Sequence, residues 1–233
     1  MISTKGKLIV IDGTDCSGKQ TQSKMLIDRL NGEGISSSSM SFPRYDSPTG
    51  RIVGGPYLGK PEISACWFAN GADSLDPRVA CLFYAADRRF HRSELVDGLN
   101  RGENWILDRY VEANMGHQAG KAATDQEMRG IVDFIDRLEY GLLGMPRPNQ
   151  VFLLHMPYLV GMELKKGRPG AADQHEANPD HLKNAERAYL EIAKMRDWKV
   201  ISCAPSGAVD SLRNVDDIHS ELYDATMKIL KSS

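Results

Sequence analysis

A glycine-rich segment near the start of the chain constrains the fold more strongly than any other feature. Residues 13–19, Gly-Thr-Asp-Cys-Ser-Gly-Lys, match the phosphate-loop pattern GxxxxGK. An apolar run at residues 7–11 precedes the segment, and residues 21–30 carry apolar side chains at helical spacing. This order of strand, glycine loop and helix directs backbone N–H groups and a helix N-terminus toward one phosphate. The sequence therefore predicts a nucleotide-binding loop.

The residues of this loop are the predicted contacts of ATP. Lys19 is expected to reach the β- and γ-phosphates. The pattern normally continues with a Ser or Thr that binds Mg²⁺, but this chain has Gln20, and Thr21 is rotated by about 100° on a helix. The amide oxygen of Gln20 is the candidate metal contact, directly or through water. The predicted cofactor contacts are Gly13, Thr14, Asp15, Cys16, Ser17, Gly18, Lys19, Gln20 and Thr21.

Apolar strands alternate with amphipathic helices along the rest of the chain. Residues 43–61 are rich in proline and glycine and are expected to form loop with short helical turns. The pattern predicts an α/β fold of the P-loop NTPase type, a three-layer sandwich with helices on both faces of a mainly parallel sheet. We expect a single domain over residues 1–233. Further strands are predicted at 105–107, 151–154 and 198–201, and helices at 76–99, 125–140, 178–195 and 215–230.

Composition limits the possible partners and the cellular location. The formal net charge of -2 argues against nucleic acid as the main partner. Four cysteines without a CxxC pair indicate free thiols in a reducing setting. No signal peptide is recognisable, and no apolar run approaches the ~20 residues that span a bilayer. We therefore expect a cytoplasmic protein without a membrane partner.

Two further pairs of residues are candidates for the second half of a site. Asp108 and Arg109 follow a predicted strand, so both emerge where parallel strands end. Asp108 is a candidate metal contact and Arg109 a candidate phosphate clamp, although an Asp–Arg pair that only holds the strand end fits equally. Tyr84 and Arg88, one helical turn apart, could stack on a base and bind its edge. Taken alone, they are better explained as a core tyrosine and a solvated arginine.

Together these segments resemble the thymidylate kinase family of P-loop nucleoside monophosphate kinases. The resemblance covers nearly the whole chain and implies Mg²⁺-dependent transfer of a phosphoryl group from ATP to dTMP. It also implies a homodimer, for which the helix at 76–99 offers Val79, Phe83 and Phe90. The resemblance rests on residues 12–22 in the loop, Phe-Pro-Arg at 42–44, Thr-Gly at 49–50, Pro-Tyr-Leu-Gly at 56–59, Leu-Phe-Tyr-Ala-Ala-Asp-Arg at 82–88 and Asp-Arg-Tyr at 108–110.

The resemblance also implies roles for individual residues. Asp15 is expected near the acceptor sugar and the metal-bound phosphates, and Arg44 at the acceptor phosphate. Tyr84 is expected to stack on the base and Arg88 to bind its edge. The further acceptor contacts that it implies are Arg109, Asn114, Gln118 and Tyr189, and the predicted metal contacts are Asp15, Asp108 and Gln20.

A polar and basic segment at residues 164–176 is a candidate lid. Its cations could neutralise the migrating phosphoryl group, but composition alone favours an ordinary solvated loop. Some family members carry a catalytic arginine in the phosphate loop and others in the lid, and Cys16 occupies the loop position here. The resemblance therefore implies a lid cation, with Arg168 the first choice, followed by Lys165 and Lys166. The predicted catalytic residues are Lys19, Asp15, Arg109, Arg168 and Lys165.

Two alternatives remain open from the sequence. Tyr84 and Tyr57 could reshape the base pocket toward dUMP, another pyrimidine nucleotide or a nucleoside. Gln20 leaves room for an ATP-binding paralogue with weak catalysis.

Overall fold

Parallel strands form the centre of the structure, a computed structural model that describes residues 5–166 and 179–232. The strands of this part of the chain are β1 Leu8–Gly13, β2 Ser37–Ser41, β3 Asn104–Asp108, β4 Gln150–His155 and β5 Lys199–Ser202. Their order in the sheet is β2-β3-β1-β4-β5, and all pairs are parallel. Every residue of β1 is buried, as expected for a central strand with helices on both faces. The predicted α/β fold is confirmed.

Helices enclose one apolar core on each side of the sheet. The helices of the described residues are α1 Lys19–Gly32, α2 Pro48–Ile52, α3 Pro77–Phe90, α4 Arg92–Asn100, α5 Val111–Ala119, α6 Asp125–Asp136, α7 Tyr158–Lys165, α8 Pro179–Met195 and α9 Val215–Lys231. Leu8 and Val10 of β1 face a core with residues of α4, α5, α6 and α8, whereas Ile9 and Ile11 face a core with residues of α1, α7 and α9. The alternation follows from the period-two geometry of a strand.

The single helix predicted at residues 76–99 is in fact two helices. Asp76 caps its start as predicted, since the carboxylate accepts from the N–H of Arg78 at 2.7 Å. The first helix ends at Phe90 and the second begins at Arg92, because the backbone of His91 (φ -93°, ψ 3°) leaves helical geometry. No glycine or proline marks this break, so apolar periodicity alone predicts a continuous helix.

Two elements have no apolar pattern that would predict them, and a third overlaps the start of the predicted lid. Helix α5 is buried on most sides, including its polar residues Glu112, Asn114 and Gln118, so it lacks a solvated face. Strand β2 consists of four serines and one methionine and depends on backbone pairing with β3. Helix α7 extends to Lys165, so the beginning of the predicted lid is helical rather than loop.

The carboxyl ends of the strands meet at one edge of the sheet and bring polar residues together. Ile11 is in register with Asp108, and Gly13 is in register with Leu154. Asp12, Asp108 and the phosphate loop therefore lie side by side. Among the described residues, none of the helices has the length and apolar content needed to cross a membrane.

Candidate nucleotide-binding site

The phosphate loop is held in a tight curve between β1 and α1. Gly13 and Gly18 adopt positive φ angles of 154° and 82°. A side chain at Gly13 would meet the carbonyl oxygen of Leu154 at 2.2 Å, whereas a Cβ at Gly18 would have no neighbour within 4 Å. The first glycine is therefore required by packing, and the second lies beside open space.

Two side chains fix the shape of this loop. The Thr14 hydroxyl donates to the carbonyl of Met156 at 2.6 Å and accepts from the Met156 N–H at 2.9 Å. Lys19 is buried, and its Nζ donates to the carbonyls of Gly13 and Thr14 at 2.9 and 2.8 Å. The ammonium group therefore lies inside the curve of the loop, where an anionic phosphate would be stabilised.

Asp15 lies between two cations. Its carboxylate oxygens are 3.4 Å from Arg109 Nη2 and 3.2 Å from Lys165 Nζ. Burial by itself would raise the pKa of Asp15, but Arg109 and Lys19 outweigh that effect and hold the pKa well below its usual range. Asp15 is therefore ionised at neutral pH.

Arg109 is held in an uncommon backbone conformation. Its φ of 65° lies in the left-handed region, which a non-glycine residue adopts at a cost of about 1–3 kcal/mol. The N–H of Arg109 donates to Ile11 O at 3.1 Å, which ties the turn after β3 to β1. The guanidinium contacts both Asp15 and His117, with 3.1 Å between Nη1 and His117 Nε2. Arg109 thus pairs with Asp15 of the phosphate loop and not with Asp108, the partner considered from the sequence.

One pocket of about 380 Å³ joins this loop to the acceptor residues implied by the family pattern. Its volume lies in the range of pockets that bind small molecules. Six of the eight predicted acceptor contacts and two further predicted metal contacts line it. They are Asp15, Tyr84, Arg88, Arg109, Asn114 and Gln118, together with Gln20 and Asp108.

Arg88 is buried in this pocket wall rather than solvated. Its Nε and Nη2 each donate to Glu139 at 2.5 Å, and Nη1 donates to Tyr110 O at 3.1 Å. The two side chains are 2% and 0% exposed. Burial alone would lower the pKa of Arg88, but Glu139 raises it, so the guanidinium stays charged.

Comparison with known proteins agrees with this geometry. The family model described as "Thymidylate kinase" matches residues 11–214. The chain belongs to the thymidylate kinase family. The resemblance predicted from the sequence is confirmed, and family membership implies an ATP-dependent nucleoside monophosphate kinase.

Two relatives match along nearly their whole length. A thymidylate kinase from Plasmodium falciparum (isolate 3D7) is 25% identical over 97% of this chain and 91% of its own. One from Prochlorococcus marinus (strain NATL2A) is 28% identical over 98% of this chain and 99% of its own. The solved structure of a thymidylate kinase from Candida albicans aligns with a TM-score of 0.69 and 22% identity, covering 97% of this chain and 94% of that chain. This structural likeness supports the P-loop fold.

Three of the residues that the thymidylate kinase pattern implies for the site do not line this pocket. Arg44 is engaged outside the pocket lining, 2.9 Å from Glu94. Tyr189 is fully buried behind the phosphate loop, where its hydroxyl donates to Asp12 at 3.0 Å. Lys166 pairs with Glu163 on the surface. Arg168 and the rest of the predicted lid at 167–176 lie outside the described residues.

Mg²⁺ is the metal that the thymidylate kinase family implies, and the donor atoms at the strand ends suit it. Asp12 Oδ2 and Asp108 Oδ1 are buried and have no hydrogen-bond partner. Burial raises the pKa of both carboxyls, while Arg109 and Lys19 oppose that rise. Among the described residues no group of three or more acidic, histidine or cysteine side chains could enclose a metal. Mg²⁺ generally keeps waters and substrate phosphates among its ligands.

The remaining loop residues differ in exposure. Gln20 and Thr21 are both exposed. Gln20 lines the pocket, and Thr21 does not. Cys16 has a positive φ of 60°, and the Ser17 hydroxyl is buried without a hydrogen-bond partner. Gln20 is therefore within reach of a ligand in the pocket.

Sequence reasoning missed three residues that complete the site. Glu139 neutralises Arg88 from a π-helical turn at Arg137–Leu142, and nothing local in the sequence indicates that role. Asp12 begins the loop segment that resembles the family, but the resemblance implied no role for its carboxylate. His117 lies three residues after Asn114 on α5, so the i, i+3 spacing could have placed it on the pocket face.

Proposed function

We propose that this chain transfers the γ-phosphoryl group of ATP to dTMP, giving ADP and dTDP. The observation that carries the proposal is the single pocket in which Asp15 and Arg109 lie together with Arg88 and Asn114. Asp15 of the phosphate loop lines that pocket, and polar and aromatic side chains such as Tyr84 and Gln118 line the rest of it. The arrangement is suited to two anionic nucleotides held end to end.

The donor phosphates would occupy the phosphate loop. Backbone N–H groups of residues 13–19 and the N-terminus of α1 supply partial positive charge, and Lys19 supplies a full one. When bound, Mg²⁺ would neutralise negative charge on the donor phosphates. Asp12, Asp15 and Asp108 are the residues that would hold it, directly or through water, with Gln20 nearby.

The acceptor base would lie against Tyr84 and Arg88. Arg88 Nε and Nη2 each donate one hydrogen bond to Glu139. The remaining N–H groups on the terminal nitrogens of Arg88 would therefore donate to a base carbonyl. Asn114 Nδ2 points to Glu139 and Cys81 O, while its Oδ1 is buried without a partner. A pyrimidine ring N–H would satisfy that oxygen. These groups favour a thymine-like edge.

Transfer requires no covalent enzyme intermediate. A phosphate oxygen of the acceptor forms a bond to the γ-phosphorus while the bond from that phosphorus to the β–γ bridging oxygen breaks. Arg109 and Lys165, both within 3.4 Å of Asp15, lie where the two substrates would meet. Their charge would stabilise the equatorial oxygens in the transition state, and positioning would supply most of the rest.

The reaction is tested with a coupled ADP-release assay. ATP is offered with dTMP, dUMP, thymidine or no acceptor, and dTMP is expected to give the highest kcat/KM. Lys19→Ala should lower kcat/KM by more than about 100-fold, equivalent to ~3 kcal/mol of transition-state stabilisation. Faster turnover of dUMP or thymidine would reassign the acceptor. If ATP binds but none of the acceptors is phosphorylated, the proposed activity is refuted.

We further propose that two copies of the chain associate through α3. Val79, Leu82 and Phe90 on this helix are 42%, 50% and 57% exposed, and they form an apolar face that a second copy would cover. Phe83, which the sequence also suggested, instead packs against Tyr57 with ring centroids 5.5 Å apart. Sedimentation of Phe90→Lys should give a monomer, whereas Leu159→Lys, at an exposed apolar residue on α7, should remain dimeric.

The four free thiols support a reducing compartment such as the cytoplasm. Two of them, Cys81 and Cys203, are buried, and burial raises the pKa of Cys81 to about 12 and of Cys203 to about 11. Such thiols are protonated and unreactive at neutral pH.

A further inference from the structure

Two histidines connect Arg109 to a carboxylate on the far side of α5. Arg109 Nη1 is 3.1 Å from His117 Nε2, His117 Nδ1 is 3.2 Å from His181 Nε2, and His181 Nδ1 is 3.3 Å from Asp73 Oδ1. Four separate parts of the chain take part: the turn after β3, α5, α8 and the short 3₁₀ turn Ala72–Ser74. The contacts form one continuous row of hydrogen-bonding groups.

The two imidazole rings are arranged for a direct N–H to N bond. Their planes differ by 7°, and their centroids are 5.4 Å apart, while the nearest nitrogens are 3.2 Å apart. Rings with these values lie nearly in one plane, edge to edge, with one nitrogen of each pointing at the other. The Tyr189 ring meets His117 at 84° with a centroid distance of 5.6 Å and restricts its rotation. His181 is 7% exposed.

The chemistry of the two ends determines the direction of every bond in the row. Arginine has only donors, so His117 Nε2 must accept and its proton must lie on Nδ1. That proton is donated to His181 Nε2, which places the proton of His181 on Nδ1. That nitrogen lies 3.3 Å from the Asp73 carboxylate, at ion-pair distance. Each histidine is therefore neutral and confined to one tautomer, since an additional proton would set two N–H groups against each other.

We propose that His117 and His181 are positioning residues that orient Arg109 for phosphoryl transfer. This rests on the proposed function, in which Arg109 contacts the migrating group. A neutral imidazole acceptor fixes one edge of the guanidinium without cancelling its charge, whereas a second carboxylate would cancel it. Asp15 anchors Nη2 and His117 anchors Nη1, so the plane of the guanidinium is defined by two contacts. Two anchors also help to maintain the left-handed backbone of Arg109.

Substitutions at His117 separate positioning from packing. His117→Gln can present an amide oxygen near the position of Nε2, while His117→Leu fills the space but offers no acceptor. We expect His117→Leu to lower kcat about 10- to 100-fold with little change in the KM for ATP, and His117→Gln to stay within about 3-fold of the wild type. His219→Leu, which removes a buried histidine on α9, is the control and should leave kcat unchanged. Wild-type kcat in a folded His117→Leu variant would overturn the proposal, as would equal losses in the Leu and Gln variants.

Nitrogen-15 NMR of the histidine side chains provides a readout that does not depend on turnover. At about pH 8, above the usual histidine pKa of ~6.5, both His117 and His181 should show the Nδ1–H tautomer. An Nε2–H signal for His117 would overturn the proposal even if the enzyme is active, because His117 could not then accept from Arg109. Failure of the wild type to phosphorylate any acceptor would count against the proposed function. The tautomers would still decide whether the two histidines are bonded to Arg109 as proposed.

Discussion

Replacing Glu139 by glutamine tests how much the pocket depends on one buried charge. Glu139 is 0% exposed and accepts two 2.5 Å hydrogen bonds from Arg88, which is itself 2% exposed. Glutamine keeps the shape but removes the negative charge, and it turns one acceptor into an N–H that faces the N–H groups of Arg88. The arginine, whose pKa Glu139 raises, cannot lose its proton to relieve the strain.

The expected loss follows from burial. Removing one partner of a buried ion pair costs about 3–5 kcal/mol, because the other charge is left without compensation. For a chain of this size, that corresponds to a fall in melting temperature of roughly 6–20 °C. Urea unfolding followed by circular dichroism would give the free energy, and differential scanning calorimetry the melting temperature.

An exposed ion pair serves as the control for this experiment. Lys24 and Asp28 lie 2.9 Å apart with side chains 76% and 63% exposed, so Asp28→Asn should cost less than about 1 kcal/mol. The double variant Glu139→Leu with Arg88→Met removes both charges and should be more stable than Glu139→Gln. If Glu139→Gln cost no more than Asp28→Asn, the argument that this pair holds the pocket wall would be refuted.

Three further outcomes are expected. Lys165→Ala should lower kcat more than it raises the KM for either substrate in steady-state kinetics, because Lys165 Nζ lies 3.2 Å from the Asp15 carboxylate. Lys166→Ala is the control and should stay close to wild type, because Lys166 lies on the surface. Burial raises the pKa of Glu112 from 4.5 to about 7, so the folded chain retains a proton that the unfolded chain releases; stability is lost as the pH rises through this range. Urea titrations measure the free energy of unfolding of Glu112→Gln and wild type at about pH 5 and pH 8. On going to the higher pH, the variant should gain up to about 3 kcal/mol relative to wild type. The same difference between variant and wild type at both pH values would contradict the raised pKa. Gly116→Ala should lose about 1–3 kcal/mol in the same assay, because its methyl group would lie 2.4 Å from the tyrosine ring of α8, whereas Gly141→Ala, with no atom within 4 Å, should not be destabilised.

The part of the site near the phosphate loop could be predicted because its signal is local. The glycines and Lys19 follow one another in the chain, and a strand and a helix flank them, so the physics of anion binding can be recognised from consecutive residues. Tyr84 and Arg88 share a helix face, which the i, i+4 spacing indicates. For the same reason the parallel sheet and most of its helices follow from the alternation of patterns.

The remaining features depend on contacts between distant segments. Glu139 is 51 residues from Arg88, and His181 is 64 residues from His117, so no pattern within either segment indicates the pair. Arg44 belongs to a motif of the family, yet its guanidinium pairs with Glu94, which only the packing of α4 brings near. Helix α5 has buried polar residues where an amphipathic helix would have a solvated face, and periodicity therefore cannot find it.

The double hydrogen bond between Thr14 and Met156 has a mechanical consequence. Met156 leads directly into α7, and the last residue of that helix, Lys165, returns to Asp15 beside Thr14. Residues 14–15 and 156–165 thus form a closed ring that is fastened at both ends. A displacement of α7 along its axis would therefore also displace the phosphate loop. The Thr14 hydroxyl is the group through which that displacement would be transmitted.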